Sequence, residues 1–274
     1  MKTIGILGLG IIGQAWGRHY EAAGALAGAW NRTPQPDYPR WKSSAEEVAA
    51  SAEVVQIVVA DPPAVRGILG RILPSLGPKS VLVQSSTIDP ASSLEFGRMV
   101  AARGARYLEA PFTGSKPAAE QRQSVYYLGG DRDLAEELDP LLSLVSSARL
   151  YIGTTAQAAS LKLAMNLNLA AQMEGLAEAL TLARRSGVAD ETFFQALSRN
   201  AGNSGLVKLK EAKLRSGDFS AQFSVKHMLK DMRLASGMAA SEGLPALRGV
   251  SGRLAEAAQA GHADEDFSAL IRLL

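Results

Sequence analysis

Lys162 and Asn166 stand four residues apart in a stretch free of proline, so a helix would put both on one face. Such a pair could serve as a proton donor and its support, for instance in carbonyl reduction, or be plain surface residues. As a hydride reaches the carbon, negative charge grows on the oxygen, and an ammonium within about 3 Å can supply both charge and proton. Asn166 can hold the lysine and hydrogen-bond the substrate. A lysine on a helix ordinarily lies in water, but Leu161, Leu163, Ala164 and Met165 around Lys162 argue against that placement. His227 competes for the proton-transfer role, three residues before Lys230 and close to Asp231. Thr113-Gly114-Ser115 follows a strand pattern, and its backbone N–H groups could cradle a carboxylate or simply make a turn. Lys116 beside it would either attract an acid or lie in solvent.

A second group of residues points to a nucleotide. Gly8-Leu9-Gly10-Ile11-Ile12-Gly13 lies between a strand pattern and a helix pattern. Gly8 permits a tight turn, Gly10 admits a pyrophosphate against the backbone at the helix N-terminus, and Gly13 lets helix and strand pack closely. A binder of NAD usually places Asp or Glu at the end of the second strand. Here Trp30 is followed by Asn31-Arg32-Thr33. Arg32 can pair with a 2′-phosphate, and Asn31 and Thr33 can hydrogen-bond it, so NADP is the expected cofactor. A plain turn before Pro34 is the other reading of these residues.

The elements that must position these groups alternate. Thr3–Leu7, Ala25–Trp30, Val54–Ala60, Ser80–Gln84, Arg106–Glu109, Ser124–Leu128 and Arg149–Ile152 have strand patterns. Ile11–Ala23, Ser44–Ala50, Pro63–Leu73, Pro90–Ala102 and Asp131–Ser146 read as helices between them. Ser44 with Glu47 fits a capping box, and Asp89-Pro90 fits an N-cap followed by proline. Strands separated by helices predict an α/β Rossmann domain, a doubly wound and mostly parallel sheet, over residues 1–155. Residues 156–274 predict an all-helical domain entered by one helix of about 30 residues, with an apolar stripe at Leu161, Met165, Leu169, Met173, Leu176, Leu180 and Ala183. Further helices are expected over Glu191–Arg199, Leu206–Leu214, Ser224–Glu242, Ala246–Ala260 and Phe267–Leu273. A helix that long exceeds what a small domain can cover, which predicts packing against a second subunit.

Four stretches together resemble the β-hydroxyacid dehydrogenases, the group of 3-hydroxyisobutyrate dehydrogenase, and within it the glyoxylate/succinic semialdehyde reductases. They are Gly8–Gly13 with Asn31-Arg32-Thr33; the run from Glu109 through Ala110, Pro111, Phe112, Thr113, Gly114, Ser115, Lys116 and Pro117 to Ala118; Gly153 through Lys162 to Asn166; and Phe223 through Lys226-His227 to Lys230-Asp231. The closing Asp264-Glu265-Asp266-Phe267-Ser268 is also typical of that subgroup. The resemblance implies NADPH-linked interconversion of a small carboxylated aldehyde or keto acid with a hydroxy acid, in a homodimer or homotetramer. It implies Lys162 as the catalytic lysine with Asn166 beside it, and Thr113, Gly114, Phe223 and Asp231 at the substrate. It places Gly8, Gly10, Ile11, Ile12, Gly13, Asn31, Arg32, Thr33, Ala60, Asp61, Val65, Thr87 and Lys230 at the cofactor. Two positions depart from the pattern: Thr113 replaces serine, and Phe112 stands where valine is common.

Composition narrows the field. The 274 residues carry Lys+Arg 29 against Asp+Glu 27, a net charge of +2, which disfavours a dedicated nucleic-acid or polybasic membrane binder. With no cysteine, a disulfide scaffold, a thiolate metal site and a cysteine nucleophile are excluded. Three histidines make a histidine-rich metal site improbable, so no metal is expected. No apolar run reaches the ~20 residues of a spanning helix, and no signal peptide is evident, so a cytoplasmic protein is expected. An imine reductase of the same architecture is the alternative enzyme, disfavoured by Lys162. A non-catalytic NADP sensor would have no use for a proton donor. A decarboxylating phosphogluconate enzyme would carry a larger helical domain.

Overall fold

The computed structural model describes residues 2–274. Two compact units divide the chain, one running to Lys162 and the other comprising Leu163–Leu274.

The first unit is built on short strands, β1 (Ile4–Leu7), β2 (Leu26–Trp30), β3 (Val54–Ile57), β4 (Val81–Gln84) and β5 (Arg106–Glu109), of which β1, β3 and β4 are buried at every position. Runs such as Ile-Gly-Ile-Leu and Val-Leu-Val-Gln are buried on both faces and apolar but for Gln84, as a parallel sheet covered by helices requires. Helices α1 (Ile11–Ala22), α2 (Ala45–Ser51), α3 (Pro62–Ile72) and α4 (Pro90–Ala101) connect them. Three of these start where a side chain satisfies a free amide: Glu47 N donates to Ser44 Oγ, Ala64 N to Asp61 Oδ1 and Ser92 N to Asp89 Oδ1. The strand order is β2-β1-β3-β4-β5, all parallel. The order reverses between β1 and β3, and in open sheets of this kind ligands bind past the strand C-termini at that reversal.

The remainder of this unit departs from the expected alternation. Residues Phe112–Thr113 form a two-residue strand, β6, and Lys116–Glu120 a one-turn helix, α5, where a plain turn was expected. β7 (Ser124–Gly130) runs antiparallel to both β5 and β6, and β8 (Ser146–Gly153) pairs with β7 in parallel after α6 (Arg132–Leu142). The strand expected to reach Ala60 ends at Ile57. Val58 N still reaches Leu7 O, but Val59 N turns to the Ser86 side chain and leaves the ladder.

The second unit is helical. It contains most of α7 (Thr155–Arg185, 31 residues), then α8 (Asp190–Ser198), α9 (Gly205–Ser216), α10 (Val225–Ser236) and α11 (Pro245–Ala257), ending in a 3₁₀ segment Phe267–Leu273. α10 ends at Ser236, six residues short of the expected Glu242, and a separate 3₁₀ turn covers Ala239–Ser241. Met173, Leu176, Leu180, Phe194, Met228, Met232, Leu247 and Leu254 make its core. Among the described residues, no helix is long and apolar enough to cross a membrane.

Candidate active site

The glycine loop has the shape a dinucleotide needs. Gly8 sits at φ +112°, and a Cβ there would lie 2.2 Å from Val58 O, so both conformation and space demand glycine. At Gly13 a Cβ would meet Gly8 O at 1.8 Å, which fixes how closely α1 approaches the strand end. Gly10, the exposed N-cap of α1, is the opposite case: a Cβ there would touch nothing within 4 Å. The surface at the start of α1 is therefore open, no side chain caps the helix there, and the residues present fit a pyrophosphate at its N-terminus. Ile11 is half exposed beside them.

Asn31, at the end of β2, braces this loop. Its Oδ1 accepts from Leu9 N at 3.0 Å and its Nδ2 donates to Thr33 O at 3.0 Å. Gln14 Nε2 and Gln35 Nε2 both donate to Leu9 O. Arg32 and Thr33 are exposed just past the braced residue. Ala60 is exposed after β3, whereas Asp61 spends its carboxylate capping α3, and Val65 is fully buried in the core beneath the loop. Thr87 is half-buried in the loop after β4.

Past β5 the chain turns at Gly114, with φ +118°, where a Cβ would lie 2.9 Å from Ala118 Cβ. Thr113 is half-buried, paired through β6 with Val125. Phe112 belongs to an aromatic cluster, its ring 4.6 Å from Trp16 in edge contact and 6.4 Å from Tyr126. Lys162 Nζ lies 5.9 Å from the centre of that same ring. A cation over a ring face is attracted to it, so Phe112 helps to place the ammonium. Lys116 is drawn off along α5 to Glu120 at 3.8 Å, both exposed.

Along α7 the buried stripe differs from the expected one. Met173, Leu176 and Leu180 are buried as the spacing predicts, but Leu161, Met165 and Leu169 are only half-buried. In the first half of the helix the inward positions are Lys162, Leu163, Asn166 and Ala170. Lys162 is 8% exposed and Asn166 1%, one helical turn apart on α7.

In the second unit, Asn166 Nδ2 donates to Asp231 Oδ2 at 2.6 Å, and Lys230 Nζ lies 2.6 Å from Asp231 Oδ1. Asp231 is thus a buried acceptor joining α7 to α10. Nearby His227 engages Ser224 Oγ through Nδ1 at 2.8 Å. Burial, reinforced by Lys230 and Lys226, holds its imidazole below the usual pKa, which favours the neutral ring. That does not suit a proton donor. Phe223 packs edge-on against Phe267 at 5.9 Å. Two histidines fall outside this chemistry: His19 Nε2 lies against the carbonyls of Ala119 and Glu120, and His262 lies 3.3 Å from Glu265.

A glycine loop at the reversal of a parallel sheet defines the first unit as a nicotinamide-dinucleotide domain. Comparison with known proteins agrees. Residues 3–153 match the family described as the NAD binding domain of 6-phosphogluconate dehydrogenase. Residues 156–274 match the NAD-binding domain of NADP-dependent 3-hydroxyisobutyrate dehydrogenase. Glyoxylate/succinic semialdehyde reductase 2, chloroplastic, of Arabidopsis thaliana is 32% identical, over 99% of this chain and 79% of that protein. Glyoxylate/succinic semialdehyde reductase 1 of the same plant is 28% identical, over 98% of this chain and 96% of its own length. The structure of Mycobacterium tuberculosis 3-hydroxyisobutyrate dehydrogenase with L-serine superposes with a TM-score of 0.89 at 26% identity, covering 100% of this chain and 99% of that one. The chain belongs to the β-hydroxyacid dehydrogenase family. It is an NAD(P)-dependent oxidoreductase acting on hydroxy acids, and it binds NADP(H).

Proposed function

We propose that this enzyme reduces small aldehydes or 2-keto acids bearing a carboxylate, glyoxylate and succinic semialdehyde among them, to hydroxy acids with NADPH. One observation carries the proposal: the inward face of α7 presents Lys162 and Asn166 at positions where a purely structural helix would place leucine. Burying a lysine is costly, and a reaction that needs a proton donor gives Lys162 a task, as pairing with Asp266 gives Lys210 one. When bound, the cofactor supplies hydride to the carbonyl carbon. Lys162 gives its proton to the carbonyl oxygen and stabilises the charge that develops there. Asn166, held by Asp231, orients the lysine and the substrate oxygen. In the first unit Thr113 and the amides around Gly114 receive the carboxylate; in the second, Phe223 and Asp231 are the residues assigned to the substrate. The mycobacterial relative solved with L-serine, itself a carboxylate, supports an acid-bearing substrate.

On the cofactor, the amides of Gly10, Ile11, Ile12 and Gly13 take the pyrophosphate, and Arg32 with Thr33 takes the 2′-phosphate. Ala60, Asp61, Val65, Thr87 and Lys230 line or support the rest. Residues 1–155 form the dinucleotide domain and 156–274 the helical one. The half-buried Leu161, Met165 and Leu169, with Leu182 at 69% exposure, support a homodimer or homotetramer built on α7.

The test is a panel of aldehydes and keto acids followed at the NADPH absorbance. Each acid is paired with the same carbonyl compound lacking its carboxylate. The expected result is a kcat/KM at least about tenfold higher for the acid, the worth of one charge-assisted contact. Equal values for the pair would refute the carboxylate cradle.

A further inference from the structure

Glu109 ends β5 and is fully buried, four residues before Thr113. Three side chains donate to its carboxylate: Gln84 Nε2 to Oε1 at 2.8 Å, and Ser93 Oγ and Tyr107 Oη to Oε2 at 2.6 and 2.5 Å. Gln84 ends the neighbouring strand β4 and does more than meet Glu109. Its Nε2 also donates to Ser86 O at 2.9 Å, and its Oε1 accepts from Ser86 N at 2.7 Å. Ser86 Oγ in turn accepts from Val59 N at 2.8 Å. A continuous chain of hydrogen bonds therefore runs across the C-terminal ends of β3, β4 and β5. It enters the loops carrying Ala60 and Asp61 and Thr87, and it ends at Glu109, the last residue of β5, where the chain leaves for Thr113-Gly114 four residues on. Every link lies within the first unit.

Ordinary packing does not require this arrangement. A carboxylate whose three side-chain donors are all neutral is expensive to bury, and apolar residues at 84 and 109 would continue the buried strands. We propose that the Gln84–Glu109 pair is a positioning device that couples the two cofactor loops after β3 and β4 to the substrate loop after β5. Binding of the nicotinamide cofactor orders the first two loops, and the pair transmits that order to residues 112–115. The proposal rests on the assignment of these loops to cofactor and substrate made above.

Burial raises Glu109 to about 7, against the pull of Ser93, Tyr107 and Gln84. The titratable groups acting on it are Tyr107 on its own strand and Asp89 at the start of α4; Gln84 from β4 and Ser93 from α4 are neutral. The ionised carboxylate accepts from all three donors. The protonated form must turn one oxygen into a donor, so the coupling strengthens as pH rises through neutrality.

Hydrogen exchange with and without saturating NADPH tests this without any turnover. In the wild type, NADPH raises protection at residues 8–13 and also at 112–115. In Gln84→Leu the gain at 8–13 persists, while the gain at 112–115 falls by about tenfold, the scale of a typical coupling between sites. A second variant, Glu109→Gln, keeps shape and acceptor but removes the charge. Its gain at 112–115 is flat between pH 6 and 8, whereas that of the wild type rises. Unchanged protection of 112–115 in both variants, or none in the wild type, overturns the proposal. If the carbonyl panel shows no reduction while this pattern holds, the substrate reading fails and the coupling stands.

Discussion

The buried pair Lys210–Asp266 allows a sharp energetic prediction about the second unit. Lys210 is 3% exposed and Asp266 fully buried, with Nζ at 2.7 and 2.9 Å from the two carboxylate oxygens. Asp266 also accepts from Gln222 N, Phe223 N, Ser268 N and Ser268 Oγ. It therefore pins the segment that carries Phe223. Lys210→Met keeps the volume and strands the carboxylate, which still holds four neutral donors. Breaking a buried pair costs about 3–5 kcal/mol, and those donors put this variant at the lower end, about 3 kcal/mol. At roughly 2–4 °C per kcal/mol for a chain of this size, Tm falls by about 6–12 °C. Asp266→Ala costs more, because it strands the ammonium and also leaves three backbone amides without their acceptor, at about 1–3 kcal/mol each where they stay dry. Burial alone would raise the Asp266 pKa, but Lys210 and Ser268 hold it below the usual carboxylate range. Its contribution is therefore full above the unfolded value of about 4 and is lost as pH falls through the lower folded value. In Lys210→Met burial acts without the cation, so the gap from wild type narrows between pH 7 and pH 3. Urea unfolding monitored by circular dichroism at several pH values measures this. A Lys210→Met variant within about 0.5 kcal/mol of wild type at pH 7, or more damaging than Asp266→Ala, would refute the reasoning.

Other expectations follow from the active-site groups. Lys162→Ala should lower kcat by about 10²–10⁴-fold while NADPH still binds in a fluorescence titration, and near-normal turnover would remove it from the chemistry. Arg32→Gln should weaken NADPH by about tenfold and leave NADH unchanged; equal losses would argue that Arg32 does not meet the 2′-phosphate. Phe112→Val removes the ring beside Lys162, so kcat on the smallest acid should fall about 2–5-fold, the worth of a cation–π contact, while branched acids gain in kcat/KM. Glu109, raised to about 7, contributes most to stability below the unfolded value of about 4.3 and loses that contribution as pH climbs through 7. Wild-type Tm should therefore fall from pH 4.5 to 7.5 more steeply than that of Glu109→Gln, and parallel curves would contradict the burial argument.

Most elements were legible because local rules govern them. Ser44 and Asp89 begin helices since short oxygens satisfy free amides, wherever the helix later packs. β1, β3 and β4 are short, mainly apolar runs without the alternating polar face of an open sheet, which a sheet covered on both sides accepts. β6 and α5 were not legible: two residues and five residues are too short to carry a period. The face of α7 was half legible, because counting apolar residues selects leucines and passes over a lysine and an asparagine that point inward.

The sequence by itself determined the alternating order of strands and helices, the glycines of the nucleotide loop and the presence of an amine and an amide one helical turn apart. These follow from steric and capping rules that act over a few residues. Only the tertiary structure decided that Asp231 holds Asn166, 65 residues away, that Phe112 faces Lys162, and that Gln84 and Glu109 join three strand ends. Those partners are distant in the chain. They meet because the strands lie in register and the helices close on one another, and no local pattern records which polar side chains that register brings face to face.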